Sequence, residues 1–280
     1  MLNAYFSPQT FRSMSLYSRP EVYDLAFSWD PEPEVSFYLH LFERYAGEVR
    51  RVLELGCGTC RLLLEMAKRG LECVGLDISR EMVGYSRKVA ARRGVSLTVI
   101  LGDMANFDLR GFDAAFSALN TVAGLGTRER LLSHYRSVAR ALRPGGVYVV
   151  DAGVGLTVGD REEWEVKRGR VRASVRWAVL SSSPTEVEEE IAVHIHSPSE
   201  EVVAERGRGM RLSPEDLSDL PRLAGLEPVT WFSGIWGREF PRPPERGRCV
   251  AVLKRPPSDP PMVPPSWPAG STGRRGLSGR

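Results

Sequence analysis

The sequence predicts an α/β fold with a mostly parallel sheet and an antiparallel β insertion. Three observations lead to this fold class. A short apolar run breaks at a glycine turn and continues into a helix-like run, residues 51–67. Strand-like and helix-like segments then alternate as far as Asp151, and from about 160 to 211 the apolar period changes to two. Alternation of strands and helices is typical of parallel sheets, and a period of two is typical of antiparallel strands with one buried face.

The first of these observations concerns the strand–turn–helix segment 51–67. Its apolar run contains one carboxylate, Glu54, and breaks at a Gly-Cys-Gly turn, residues 56–58. Glycines let the backbone turn sharply and approach a ligand closely. A second short strand, 72–76, ends in Asp77, where a carboxylate can accept hydrogen bonds from ribose hydroxyls. This order predicts a nucleotide-type binding unit.

The turn also resembles a known family. The run 54–59, Glu-Leu-Gly-Cys-Gly-Thr, is similar to motif I of class I S-adenosylmethionine-dependent methyltransferases. Cys60 stands where a third glycine is usual in that motif, and Arg61 stands where the dinucleotide fingerprint requires glycine. The resemblance implies a Rossmann-like class I methyltransferase fold with a seven-stranded sheet, and S-adenosyl-L-methionine as the cofactor.

The same resemblance implies which residues hold the cofactor. Asp103 follows the third strand, where the family accepts the adenine amino group, and Met104 then lines the ring; the alternative for Asp103 is a turn aspartate. Tyr23 lies in a segment that folds over the cofactor in related enzymes, with simple packing as its alternative. The predicted cofactor-binding residues are Tyr23, Glu54, Gly56, Cys57, Gly58, Asp77, Ile78, Asp103, Met104 and Ser117.

The loop after the fourth strand, residues 117–121, is expected to face the transferred methyl group, because ligands of open α/β sheets bind outside the strand ends. It lacks the Asn/Asp-Pro-Pro-aromatic tetrapeptide of methyltransferases that act on bases or protein amides. Some small-molecule enzymes of the family carry a histidine where this chain has Gly124. The catalytic candidates are Tyr23 and Asn120, although Asn120 can instead brace the loop.

Residues 128–142 are expected to form a helix that ends at the Arg-Pro-Gly-Gly turn 143–146, and strand five then covers 147–150. The Leu-Arg-Pro-Gly-Gly sequence before a strand also matches the family. His134 lies off the main apolar stripe of the helix and is expected to face solvent.

The segment 160–211 reads as antiparallel strands. Related small-molecule enzymes build a roof over their substrate at this place. Trp177 can stack on substrate there or pack in the core. His194 and His196 point to the same side, but no third ligand is evident, so a polar sheet face is predicted instead of a metal site.

Four segments are predicted. They are an N-terminal segment and helix that close over the cofactor (1–46), a methyltransferase core (47–156 and 212–255), an antiparallel substrate roof (157–211), and a disordered Pro/Gly/Arg-rich tail (256–280). Helix and strand patterns after residue 212 fit the antiparallel end of a methyltransferase sheet. The tail has too few apolar residues to fold.

Composition excludes several classes of protein. Of the 280 residues 42% are apolar, which is enough to form a core. The formal charge of +3 is too weakly basic to indicate a nucleic-acid partner. No secretion signal and no run near the ~18 apolar residues of a membrane span occur, so a cytoplasmic protein without a membrane partner is expected. Cys57 and Cys60 form a C-x-x-C, but nothing completes a zinc set, and no metal is predicted.

The predicted function is methyl transfer from S-adenosylmethionine to an amine or hydroxyl of a small molecule. An RNA or protein methyltransferase is the alternative. An NAD-dependent oxidoreductase is opposed by Arg61, and a non-catalytic binding module of the same fold stays open. The acceptor and the oligomeric state do not follow from the sequence.

Overall fold

The computed structural model describes residues 15–257, and this part of the chain forms two β-sheets flanked by helices. The strands are β1 (Arg51–Leu55), β2 (Glu72–Asp77), β3 (Thr98–Leu101), β4 (Phe112–Ser117), β5 (Leu142–Val154), β6 (Arg161–Arg168), β7 (Val171–Ser182), β8 (Glu186–Ser197), β9 (Glu201–Met210), β10 (Glu227–Phe232), β11 (Glu239–Phe240) and β12 (Gly247–Lys254). The α-helices are α1 (Pro20–Ala26), α2 (Glu32–Ala46), α3 (Arg61–Lys68), α4 (Arg80–Arg93), α5 (Arg128–Ala141) and α6 (Pro214–Leu223). Short 3₁₀ turns cover Leu16–Ser18 and Thr121–Leu125.

The larger sheet has the strand order β11-β10-β12-β5-β4-β1-β2-β3. Strands β1 to β5 are parallel, and β12 runs antiparallel between β5 and β10. The chain moves outward from β1 to β2 and β3, then returns to add β4 and β5 on the other side of β1. The sheet therefore has its topological switch point between β1 and β4, where open α/β sheets bind their ligands.

Two apolar layers sandwich this sheet. Helices α2, α3 and α4 cover one face, and α5 and α6 cover the other. Strand β5 shows why both faces are buried: Val147 and Val149 belong to one layer, and Tyr148 and Val150 to the other. Such a run, apolar at every position, is typical of a parallel strand that is covered on both sides.

Polar side chains define the helix starts. The hydroxyl of Ser79 accepts the backbone N–H of Met82 at 3.2 Å, which makes Ser79 the N-cap of α4. At α6 the backbone N–H of Ser213 donates to the Asp216 carboxylate at 2.9 Å, which is half of a capping box. Both bonds give an acceptor to a backbone N–H at the start of a helix, where the helix itself supplies none.

The structure corrects some sequence-based boundaries. The turn predicted at 143–146 lies inside β5 as a bulge: β4 pairs Phe112 with Leu142 but Ala114 with Val147. Gly145 in this bulge has a φ of +80°, a backbone conformation that favours glycine. Its N–H donates to the backbone carbonyl of Arg255. The seven predicted strands of the sheet are present, and the two-residue β11 adds an eighth at the edge.

The smaller sheet, β6-β7-β8-β9, is an antiparallel meander that we call the roof sheet. Its apolar face packs against the N-terminal helix, where Val175 and Val193 share a cluster with Leu16, Val22 and Leu25. The proposed disordered tail falls almost wholly outside the described residues, as does the start of the N-terminal segment. Within 15–257, no helix is long and apolar enough to span a membrane.

Candidate functional site

A cavity of about 1420 Å³ lies outside the carboxyl ends of the parallel strands and continues beneath the roof sheet. Gly56 and Asp77 line it from the core, Tyr23 lines it from α1, and Trp177 lines it from the roof sheet. The chain thus brings three distant segments to one space at the topological switch point.

The glycine turn is shaped by two backbone conformations that favour glycine. Gly56 has φ +69°, and a Cβ built on it would lie 2.2 Å from Cγ2 of Thr121. Gly58 has φ +50°, and its N–H donates to Oδ2 of Asp77 at 2.7 Å. Cys60, where the family has glycine, adopts the left-handed conformation with φ 57° and is fully buried. A non-glycine residue rarely adopts this conformation, so the local fold retains the shape that the usual glycine gives.

Asp77 ties the turn after β1 to the end of β2. One carboxylate oxygen accepts from Gly58 and the other from the backbone N–H of Ser79 at 2.8 Å. A carboxylate offers about four acceptor positions, so Asp77 keeps capacity for the predicted ribose hydroxyls. Ile78 beside it is 71% exposed and lines the cavity, an unusual setting for a large apolar side chain.

Asp103 holds a turn and also lines the cavity, so both roles that the sequence left open remain compatible with its position. Its carboxylate accepts the N–H of Ala105 at 2.8 Å, as a turn aspartate does, and it lines the cavity beside Met104. Arg130 of α5 donates to it at 2.9 Å, a partner that sequence reasoning missed. Burial alone would raise the pKa of Asp103, but the Ala105 N–H and the Arg130 guanidinium bring that pKa below its usual value.

Glu54 lies beneath the turn, buried with 5% exposure, and is not part of the cavity wall. Its Oε2 atom is buried without a hydrogen-bond partner among residues 15–257, as is Nη1 of Arg61. Burial and the nearby Cys60 raise the pKa of Glu54 well above its usual value, against the lowering effect of Arg61. Glu54 therefore supports the turn from behind, whereas Gly56, Asp77 and Asp103 line the cavity itself. A glycine turn beside two carboxylates with free acceptor positions fits the expected cofactor.

Tyr23 covers the glycine turn from above. A Cβ built at Gly58 would lie 3.5 Å from its ring, and the ring of Phe27 is 4.5 Å away between centroids. Burial raises the pKa of the Tyr23 phenol far above its usual value, with a smaller contribution from Tyr17. The phenol therefore stays neutral. Its ring lies between the glycine turn and the part of the cavity beneath the roof sheet.

Ser117 is fully buried, and its hydroxyl points away from the cavity lining to donate to the carbonyl of Leu55 at 3.1 Å. The Tyr148 hydroxyl lies 2.8 Å from Oγ of Ser117 and 2.7 Å from Nε2 of His134. Nδ1 of His134 faces the carbonyl of Met104 at 2.8 Å, and a carbonyl only accepts, so Nδ1 carries the hydrogen. This buried network supports the floor of the site from behind.

His134 was expected to face solvent, and this expectation is wrong, because the side chain is fully buried. The sequence did contain the signal. Position 134 is three residues after Leu131 and four before Val138, so it shares their face of α5. The buried face of α5 is therefore wider than the stripe of apolar residues, and it includes position 134.

This burial makes stability depend on pH. Burial lowers the pKa of His134 from 6.5 to about 4, against the raising effect of its bond to Met104. In the unfolded chain His134 binds a proton below about pH 6.5, whereas in the folded chain it does so only below about pH 4. The free energy of unfolding therefore falls as the pH falls through that window. Urea unfolding at pH 7 and pH 5 should show a loss of about 2 kcal/mol that is missing from His134→Gln. An equal loss in the variant would contradict the prediction.

Hydrogen bonds to β5 hold the loop that follows β4. Oδ1 of Asn120 accepts the N–H of Gly153 at 2.9 Å, which leaves its amide nitrogen without a partner among the described residues, on the cavity lining. Asp151, 2% exposed, accepts the N–H of Leu119 and forms a bidentate pair with Arg248 at 2.9 and 2.7 Å. The sequence placed Asp151 at the end of a strand but gave it no role.

The four cysteines are free thiols and buried. A Cβ built at Gly75 of β2 would lie 2.7 Å from Sγ of Cys57 and 3.2 Å from Sγ of Cys60. The two sulfurs therefore fill the space that this glycine leaves open. Across the part of the chain that the structure describes, no three metal-ligating side chains cluster, and His194 instead contacts Glu200 at 3.0 Å.

Comparisons with known proteins agree with this geometry. Residues 52–146 match a family model described as a methyltransferase domain. A dTDP-3-amino-3,4,6-trideoxy-α-D-glucopyranose N,N-dimethyltransferase from Streptomyces venezuelae is 31% identical over 205 residues, 68% of this chain and 78% of that protein. A putative methyltransferase from Bacillus subtilis, YqeM, is 29% identical over 135 residues, 46% of this chain and about half (52%) of that protein.

Solved structures share the fold. The crystal structure of Streptomyces venezuelae DesVI superposes with a TM-score of 0.73 at 23% identity, over 85% of this chain and 98% of that one. A methyltransferase from Clostridium acetobutylicum gives a TM-score of 0.71 at 15% identity, over 86% and 99% of the two chains. These findings confirm the predicted fold and cofactor, and the chain belongs to the class I S-adenosylmethionine-dependent methyltransferases.

Proposed function

We propose that this methyltransferase acts on the amine of a small molecule, with a nucleotide-linked amino sugar as the first candidate. The observation that carries the proposal is the continuous cavity of about 1420 Å³ from the glycine turn to the roof sheet. A pocket for one small ligand takes roughly 300–1,000 Å³, so this cavity has room for cofactor and acceptor together. The Streptomyces relative supports an amine, since its name describes dimethylation of an amino sugar nucleotide.

The cofactor would be held by residues around the glycine turn. We assign this role to Tyr23, Glu54, Gly56, Cys57, Gly58, Asp77, Ile78, Asp103 and Met104, with Ser117 acting from behind the turn. S-adenosylmethionine supplies the methyl group on a sulfonium, which is a good leaving group. The protein's own task is then to position the acceptor and exclude water, and positioning alone can supply roughly 7–11 kcal/mol in favourable cases.

Tyr23 and Asn120 would face the acceptor. Tyr23 lines the cavity between the turn and the roof sheet, so its ring would keep water away from the side where the acceptor sits. The amide oxygen of Asn120 is held by Gly153, so its amide nitrogen is the part that can donate to an acceptor oxygen. Neither residue needs to change its protonation state in these roles.

The test is methylation by the full chain with labelled S-adenosylmethionine. The acceptors are the amino-sugar nucleotide dTDP-3-amino-3,4,6-trideoxy-α-D-glucopyranose, named after the relative's substrate, and dTDP-glucose as its hydroxyl counterpart. We expect mass spectrometry to find one or two methyl groups on the amine and none on dTDP-glucose. Methylation of dTDP-glucose alone would overturn the choice of an amine. The cytoplasmic location expected from the sequence stays a prediction.

A further inference from the structure

The inner face of the roof sheet carries carboxylates into the cavity. Cross-strand pairing aligns Glu162, Trp177, Ile191 and Glu205 in one row, and Glu189 precedes Ile191 by two residues on the same face of β8. Glu189 and Glu205 are half-buried and line the cavity. Neither has an ion-pair partner among residues 15–257.

The other carboxylates at the deep end of the cavity are already engaged. Asp103, Asp151 and Asp160 each pair with an arginine. Asp77 uses its oxygens to hold two backbone N–H groups. Apart from Asp77 at the glycine turn, the carboxylates of the cavity lining that have no ion pair among the described residues lie on the roof sheet. An unpaired and partly desolvated carboxylate favours a cation.

Glu189 differs from Glu205 in how it is held. The indole N–H of Trp177 donates to its Oε1 at 3.0 Å, and its Oε2 has no hydrogen-bond partner among the described residues. Glu205 instead accepts the hydroxyl of Ser15. Burial raises the pKa of Glu189 above its usual value, against the lowering effect of the Trp177 N–H. No histidine lines the cavity, so an oriented carboxylate with a raised pKa is the base that this wall offers.

Arg161, Lys167 and Arg208 also line the cavity, but none of them forms an ion pair with Glu189 or Glu205 among residues 15–257. Tyr17, from the 3₁₀ turn, lies near Glu205, Glu189 and Asp77, and burial of its hydroxyl end together with these carboxylates raises its pKa to about 12. It therefore stays neutral near pH 7. Its ring also lies 6.1 Å from that of Tyr23, and aromatic faces of this kind attract cations.

We propose that Glu189 binds the acceptor as an ammonium and takes its proton at Oε2. This inference rests on the proposed function. In the step, one N–H bond of the ammonium breaks, its electron pair stays on nitrogen, and the proton moves to Oε2. The neutral amine then has the lone pair that methyl transfer requires, and the proton passes to water after product release. Trp177 is a positioning residue that orients the carboxylate, and Glu205 adds negative charge beside it.

Binding without turnover gives the first test. The amino-sugar nucleotide is titrated by calorimetry into the full chain saturated with S-adenosylhomocysteine. Glu189→Gln removes a charge-assisted hydrogen bond and should weaken this binding roughly ten- to a hundredfold, with dTDP-glucose binding unchanged. The matched control is Glu188→Gln on the same strand, because Glu188 points to the outer face and contacts Ser181. The control should bind like the wild type.

The pH dependence of turnover separates a base from a binding group. Above its own pKa the amine is already neutral, so the loss of kcat/KM in Glu189→Gln should be largest near pH 7 and should shrink towards pH 9. Trp177→Phe keeps an aromatic side chain but removes the indole N–H to Glu189, and it should change the pH profile in the same direction by a smaller amount. This variant serves if Glu189→Gln fails to fold.

The outcomes separate the two proposals. If the wild type methylates no amine, the proposed function fails, whatever Glu189 does. If the wild type methylates the amino sugar and both variants keep its binding and its pH profile, the role of Glu189 is overturned and the amine reacts without a protein base. A parallel loss for dTDP-glucose binding would also overturn it, since that loss would reflect damage to the cavity instead of recognition of charge.

Discussion

Replacing Gly56 by alanine should weaken S-adenosylhomocysteine binding by about a hundredfold or more. The new Cβ would lie 2.2 Å from Cγ2 of Thr121, and the residue would keep an unfavourable φ of +69°. Because the turn lies between β1 and the cavity, relief of the clash must move either the turn or the loop after β4. Both hold the predicted cofactor site. Calorimetry on the folded variant measures the loss.

Gly84→Ala is the matched control, since a Cβ there meets nothing within 4 Å and the residue lies inside α4. It should leave binding intact and stabilise the chain by up to about 1 kcal/mol. Adding Thr121→Ser to Gly56→Ala removes Cγ2 and should restore part of the affinity, but the backbone strain remains. Wild-type affinity in Gly56→Ala itself would show that the turn adapts and that its shape does not determine binding.

Removal of the roof sheet should abolish methyl transfer. Gly155 and Leu212 are joined by a backbone hydrogen bond of 2.8 Å, so the insertion leaves and re-enters the core at one place. A Gly/Ser linker in place of 162–208 can therefore close the core. The acceptor half of the cavity loses its wall and water enters, so transfer should fall below detection. Binding of S-adenosylhomocysteine should survive in weaker form, because α1 loses its packing partner.

Circular dichroism and calorimetry would show that the shortened chain is folded and still binds. Arg172→Ala is the control on the exposed outer face of the same sheet and should keep full turnover. A shortened chain with full turnover on the accepted amine would mean that the acceptor is recognised elsewhere.

Sequence reasoning succeeded where local chemistry decides the structure. The glycine turn, Asp77 and the parallel strands follow from conformational freedom, strand ends and apolar period, all of which are readable within a few residues. The positive φ of Gly56 and the bond from Gly58 to Asp77 are the local features that the motif implies.

It failed where distant segments meet. Nothing near Glu189 in the chain indicates that an alternating strand would place this carboxylate over a glycine turn more than 130 residues earlier, at Gly56–Gly58. The pair between Asp151 and Arg248 likewise depends on the antiparallel register of β5 and β12. Ser117 was placed at the correct strand end, but its side chain faces the Tyr148 network, because alternation along a strand sends neighbouring residues to opposite faces.

The short helix α1 has a thermodynamic consequence for the two ligands. Val22 and Leu25 pack on the roof sheet, whereas Tyr23 covers the turn at Gly58. A ligand that orders this helix in one half of the cavity lowers the entropic cost of binding in the other half. Such linkage is reciprocal, so we expect cofactor and acceptor to raise each other's affinity by the same factor. Titration of one ligand in the presence of the other therefore measures a property of α1 that neither binding constant alone contains.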